Sequence, residues 1–176
     1  MKKIIYLLSI TFSIIFFNQC SVQNAPQHIS DPAADKFEGT WKWGNQINGL
    51  ILIMKKENNT QPFKNNPNML LDSLIGFHKI YKAGVLTEDN TTFSSSNFID
   101  KKQSIIGNTE NNDPNKLRIW MTHKNKGIEL EILYIDSTHI KIIDVSNQEG
   151  VRFILPGKAP TDWSIDIPNN IILTKQ

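Results

Sequence analysis

Residues 128–135 read IELEILYI. In an extended chain Ile128, Leu130, Ile132 and Tyr134 share one face, and Glu129, Glu131 and Leu133 take the other. That period of two recurs along the chain beyond residue 36. Apolar, Ile-rich runs of four to seven residues are separated by Asn, Gly, Asp, Ser and Pro. The pattern predicts short antiparallel strands joined by tight turns and argues against long helices.

Strands are expected at 37–43 and 50–55, then from 69 through a turn at Ala83-Gly84 to about 89. Short strands are expected around Phe98 and Ile105, with a loop over 108–116. A meander follows, over 117–123, 128–135, 139–145 and 151–155, with a hairpin turn of the Asn-plus-Gly kind ending at Gly127 and a closing strand at 169–175. The regions left for helix are the segment before residue 37 and the stretch NNPNMLLDS. About eight to ten strands with one apolar face bury it by curling closed. The expected fold is all-β, a single antiparallel barrel or strongly curled sheet with little helix.

The chain opens differently. Lys2 and Lys3 precede an almost unbroken apolar run from Ile4 to Phe17. Its length of about 14 residues is short of the roughly 20 that span a bilayer, and it fits a secretory signal. Cys20, the only cysteine, follows that run and is a candidate lipidation site of a lipoprotein signal. Phe17, Asn18 and Gln19 are larger than such signals prefer, and cleavage near Ser21 or Ala25 would instead discard the thiol. Both readings stand: a lipid-anchored envelope or periplasmic protein, or a freely secreted one. Neither permits a disulfide framework. The chain thus divides into a signal over 1–20, a Pro-containing flexible linker over 21–36 and a β-barrel domain over 37–176.

Net charge is +2, with 19 Lys plus Arg against 17 Asp plus Glu. Two of the lysines lie in the leader, so the remainder carries as many acids as bases. No field draws it to nucleic acid, and a membrane contact is expected only through lipid on Cys20.

The stretch FEGTWKW, residues 37–43, resembles the Gly-x-Trp start of lipocalins and related calycin barrels. The resemblance implies that Trp41 plugs the closed end of a calycin-like barrel, that Gly39 leaves room beside it, and that an arginine from a late strand lies over the indole. Arg152 in VRFIL is the candidate. The whole layout also resembles an uncharacterised family of small exported bacterial proteins with a domain of unknown function. The leader, FEGTWKW, LDSLIGFHKIYKAG and DWSIDIPNNIILTK carry that likeness. It implies one β-domain and brings no activity, cofactor or catalytic residue.

No sequence motif marks a catalytic centre. His78, His123 and His139 are far apart, without zinc-ligand spacing, and read as surface or rim residues. There is no G-x-S-x-G and no Gly-rich phosphate loop, and the serines of FSSSNF read as a solvated loop. Glu129 and Glu131 read as the solvent face of a strand. No cofactor, no metal and no enzymatic activity are expected. Trp120 and Trp163 near polar loops, together with Tyr81, are candidate ligand contacts. The expected role is an exported β-barrel that holds a small apolar ligand, or meets an envelope protein, at its open end. The alternative is a structural envelope protein whose barrel is filled.

Overall fold

A computed structural model describes residues 26–148 and 162–176. Ten strands run in chain order: β1 (Gln27–Ile29), β2 (Gly39–Gly44), β3 (Gly49–Thr60), β4 (Met69–Lys82), β5 (Val85–Asp89), β6 (Ile105–Glu110), β7 (Asp113–His123), β8 (Lys126–Asp136), β9 (His139–Asn147) and β10 (Ile171–Lys175). Three short 3-10 turns, at Pro32–Phe37, Thr91–Phe93 and Phe98–Asp100, are the helical elements among the described residues.

Eight strands close on themselves in the order β4-β3-β2-β10-β9-β8-β7-β6, and β6 returns to β4 through Leu74, Ile75 and Gly76. Every pairing around this ring is antiparallel. On the other side of β6 a side chain at Gly107 would strike Arg118 O of β7 at 2.3 Å, so β6 and β7 approach to a distance only glycine permits. β4 is longer than its closing seam with β6. Its start carries β1 in parallel, and its end carries β5 as a hairpin. The barrel therefore opens beside β4, where β5 has replaced β6 as its neighbour.

The period of two places Leu50, Leu52 and Met54 of β3 inward, with Leu117, Ile119 and Met121 of β7 and Ile128, Leu130 and Ile132 of β8. These residues pack into one buried core with Trp41, Leu74, Ile140 and Leu173. Clefts of about 570 and 520 Å³ are lined entirely by residues outside this core. The inward face is occupied by the chain's own side chains.

At the lower end, Trp41 is fully buried and its Nε1 donates to Phe37 O at 2.8 Å. Phe37 and Ala34, both buried, come from the 3-10 turn Pro32–Phe37. Lys175 Nζ lies 5.0 Å from the centroid of the Trp41 ring, so the cation over the indole is a lysine of the last strand. Arg152 lies outside the described residues, as does Cys20. Gly39 has φ +131°, and a Cβ there would meet Lys175 Cε at 2.5 Å. The glycine of Gly-x-Trp thus clears the path of the lysine that covers the tryptophan.

Several elements differ from the sequence expectation. The stretch expected as linker contains β1 and the 3-10 turn, and its residues 26–36 are tied to the barrel. Asp72 accepts from His28 Nε2 (2.7 Å), Ser30 Oγ (3.1 Å) and Asp31 N (3.3 Å), and Asp31 accepts from Thr109 N (2.7 Å). Long-range hydrogen bonds decide this, and local composition does not display them. The expected loop over 108–116 is mostly strand: β6 reaches Glu110 and β7 starts at Asp113, with Pro114 near its start, where a missing N–H is tolerated. The hairpin turn before β8 is Lys124–Asn125, at φ 50° and 60°, while Gly127 pairs with Thr122 in the ladder. Two positive φ values match the twist of a two-residue hairpin, and Asn satisfies one of them without help from glycine. The short strand expected around Phe98 is a 3-10 turn.

Candidate functional site

At the upper end the inward-facing positions change from apolar to polar. His123 follows Leu117, Ile119 and Met121 on the inner face of β7, and Lys126 precedes Ile128 on β8. His78 follows Leu74 by four residues on β4, and Glu88 of β5 pairs with Ile80. Four strands, β4, β5, β7 and β8, therefore deliver two imidazoles, a carboxylate and an ammonium to one layer above the core.

Both imidazoles are buried, His78 at 4 % and His123 at 0 % exposure. They are buried at the rim and not exposed on the surface, because pairing turns their positions inward. The surface placement holds for His139, which is half-exposed and sits 3.1 Å from Asp136 beside the β8–β9 turn. Glu88 joins the pair. Its Oε2 lies 2.7 Å from His78 Nε2 and its Oε1 2.9 Å from His123 Nδ1, off the line of an ideal hydrogen bond. Lys124 N donates to Oε1 at 2.8 Å. His123 Nε2 accepts from Asp166 N at 3.2 Å, which assigns the ring proton to Nδ1. Burial opposes ionisation of Glu88, but the contacts from His123, His78 and Lys124 N outweigh it. They hold its carboxyl well below the usual range.

On the far side of His78, Nδ1 lies 2.7 Å from Ser104 Oγ. Ser104 Oγ also lies 2.8 Å from Asn90 Oδ1, which accepts from His78 N at 2.7 Å. Ser104 bridges two strands through its backbone, donating to Gly76 O (3.0 Å) and accepting from Thr122 N (2.8 Å). Residues 162–166 lie along the rim. Lys126 Nζ donates to Asp162 O and Ser164 O, and Lys124 Nζ contacts Asp162 and Asp166, each at 3.0 Å. Burial lowers the Lys126 ammonium from its ordinary value. Asp166 also pairs with Lys82. Burial would raise its carboxyl, and the bonds to Lys82 and Lys124 pull it down instead.

Some of these groups border an open cleft of about 570 Å³ between β5 and the upper ends of β6 and β7. Its walls include His78, Glu88, Ser104, Lys124 and Asp166. The arrangement offers hydrogen-bond donors and acceptors to a polar molecule. Among the described residues no group of three or more His, Cys, Asp or Glu is placed to hold a metal. His78 Nε2 and His123 Nδ1 both face Glu88.

The expected ligand contacts do not meet here. Trp120 is 39 % exposed on the outside of β7 and borders a separate small cleft with Ile106 and Gly127. Tyr81 borders clefts beside the β2–β3 turn. Trp163 is 37 % exposed, with Lys126 Nζ 5.8 Å from its ring centroid. Glu129 and Glu131 lie on the outer face and pair with Arg118 and Lys116. Glu88, Ser104 and Asn90 carried no signal in the sequence. The inward parity of His123 relative to Leu117, Ile119 and Met121 was readable, and would have marked it as buried.

No curated protein and no solved structure matches the chain. A family model does, along its whole length. The chain belongs to the family of unknown function DUF6705, whose model matches residues 1–176.

Proposed function

We propose that this is an exported protein of the cell envelope whose barrel is a filled scaffold. Its binding surface is the polar cleft at the upper rim, which takes a small, hydrogen-bonding ligand. One observation carries this reading: the inward face is closed by its own side chains, while a cleft of ligand size lies above it and is walled by polar groups, of which His78 is buried. An apolar ligand within the barrel would have to displace that core. Export rests on Lys2, Lys3 and the apolar run to Phe17, and anchoring rests on Cys20.

A second reading is a structural envelope protein with no ligand. It is favoured by the way His78, Glu88 and His123 face one another, which also staples β5 to the rim. Mass spectrometry of native protein, purified from its own cells under non-denaturing conditions, separates the two. A retained polar molecule supports the first reading and bare protein supports the second. An acylated N-terminal Cys20 in the same spectrum establishes the anchor, and an intact Met1 on exported protein removes the signal.

A further inference from the structure

Ser104, His78 and Glu88 stand in series. The hydroxyl oxygen is 2.7 Å from one ring nitrogen, and the other ring nitrogen is 2.7 Å from a carboxylate oxygen. Glu88 accepts the Nε2 proton, so in the tautomer that carries its only ring proton there the lone pair of Nδ1 faces the hydroxyl. A hydroxyl beside a base, with the base oriented by a third group, is the arrangement that activates a side-chain nucleophile.

Each member is fixed from a different side. Backbone bonds to Gly76 and Thr122 hold Ser104, and burial holds His78. The second oxygen of Glu88 is held by Lys124 N and faces His123. Asn90 is the resting partner of the hydroxyl. Its Nδ2 donates to Lys102 O, so its Oδ1 faces Ser104. Moving the hydroxyl proton from Asn90 to His78 requires rotation about the Cβ–Oγ bond and an unprotonated Nδ1.

The cleft wall indicates the class of substrate. Thr87, Asn90, Gln103, Thr122 and Asn125 present hydroxyl and amide groups, and among the described residues no Phe, Tyr or Trp borders the cleft. Lys124 is the ammonium on this wall, and it is paired with Asp162 and Asp166.

We propose that Ser104 is the nucleophile of an acyl-transfer site that hydrolyses small esters of polyhydroxylated alcohols, with His78 as general base and Glu88 orienting it. This rests on reading the cleft as the ligand site. Ser104 Oγ attacks the ester carbonyl carbon while its proton passes to His78 Nδ1. The bond from the acyl carbon to the alcohol oxygen then breaks, and the imidazolium returns that proton to the departing alcohol. Water, deprotonated by the same nitrogen, attacks the acyl-serine. The acid leaves and the proton goes back to Ser104. Water is the only co-reactant. His123 is a positioning residue, acting through Glu88.

The test is labelling of the full chain with a fluorophosphonate, read by peptide mass. Ser104 is expected to carry the adduct, and the adduct disappears in Ser104→Ala. The labelling rate is expected to fall by about 100-fold or more in His78→Gln, the scale of general-base assistance. Because His78→Gln alters a buried ring, Ser104→Cys in a Cys20→Ser background supplies a second readout. Its thiol should alkylate with iodoacetamide at pH 6 at least about tenfold faster than a free thiol, whose pKa is near 8.5. An unlabelled Ser104 in folded parent, or a Ser104→Cys thiol that titrates like a free one, overturns the proposal. If the native protein still retains a polar molecule, such a result removes the chemistry and keeps the binding site. If it retains none, both readings fall.

Discussion

At Trp41 several constraints meet on one ring. It is buried, its indole nitrogen is bonded to Phe37 O, and Lys175 covers its face. Trp41→Ala should destabilise the protein by about 3–5 kcal/mol, checked by chemical denaturation. Trp163→Ala, at a partly exposed position, should cost clearly less. Lys175→Met should cost about 0.5–2 kcal/mol if the cation contributes beyond its methylenes. Gly39→Ala should be worse than an exposed Gly-to-Ala change, since it adds a Cβ at φ +131° in the path of Lys175. Glu88 makes a pH prediction. Its folded-state carboxyl lies below the ordinary value, so its contribution is complete above about pH 4.3, the unfolded value. It is lost as pH falls through the lower, folded value. The stability difference between parent and Glu88→Gln should therefore narrow as pH is lowered from 5 toward 2, measured by thermal melts across that range.

Among the elements, β1 and the 3-10 turn behave as a strap across the lower end of the barrel. Asp72 and Asp31 are its two buried anchors, and the strap adds Ala34 and Phe37 to the core. Asp72→Ala leaves His28, Ser30 and two backbone N–H groups without their acceptor. A loss of about 1–3 kcal/mol is expected, since removing one partner exposes the desolvation cost of the others. Faster hydrogen exchange should be concentrated in residues 27–37, while β7 and β8 stay protected. Uniform loss of protection would show that the strap and barrel unfold as one unit. The strands themselves were legible where period and turn chemistry agreed, as in β7, β8 and the Ala83-Gly84 hairpin. The strap was not, because its stability comes from partners 41 to 78 residues away.

For the whole molecule, a filled barrel predicts that a fatty acid or retinol titration produces no saturable quenching of tryptophan fluorescence; saturable binding would require a core that opens. If Cys20 is the anchor, Cys20→Ser should shift the protein from the membrane fraction to the soluble fraction. Alternation and turn residues were enough to determine an all-β chain, its inward positions on β8, and the buried Trp41, because a strand's side-chain period is local and its apolar face must be covered. Whether the closed sheet would be hollow, and what lies on its rim, depended on register and on how far β4 outruns its seam with β6. His78, Glu88, Ser104 and His123 span 46 residues and belong to separate segments, and nothing local in any of them speaks of the others. Only strand pairing brings them within hydrogen-bonding reach, so the candidate site is a product of tertiary structure built on a scaffold that the local pattern already implied.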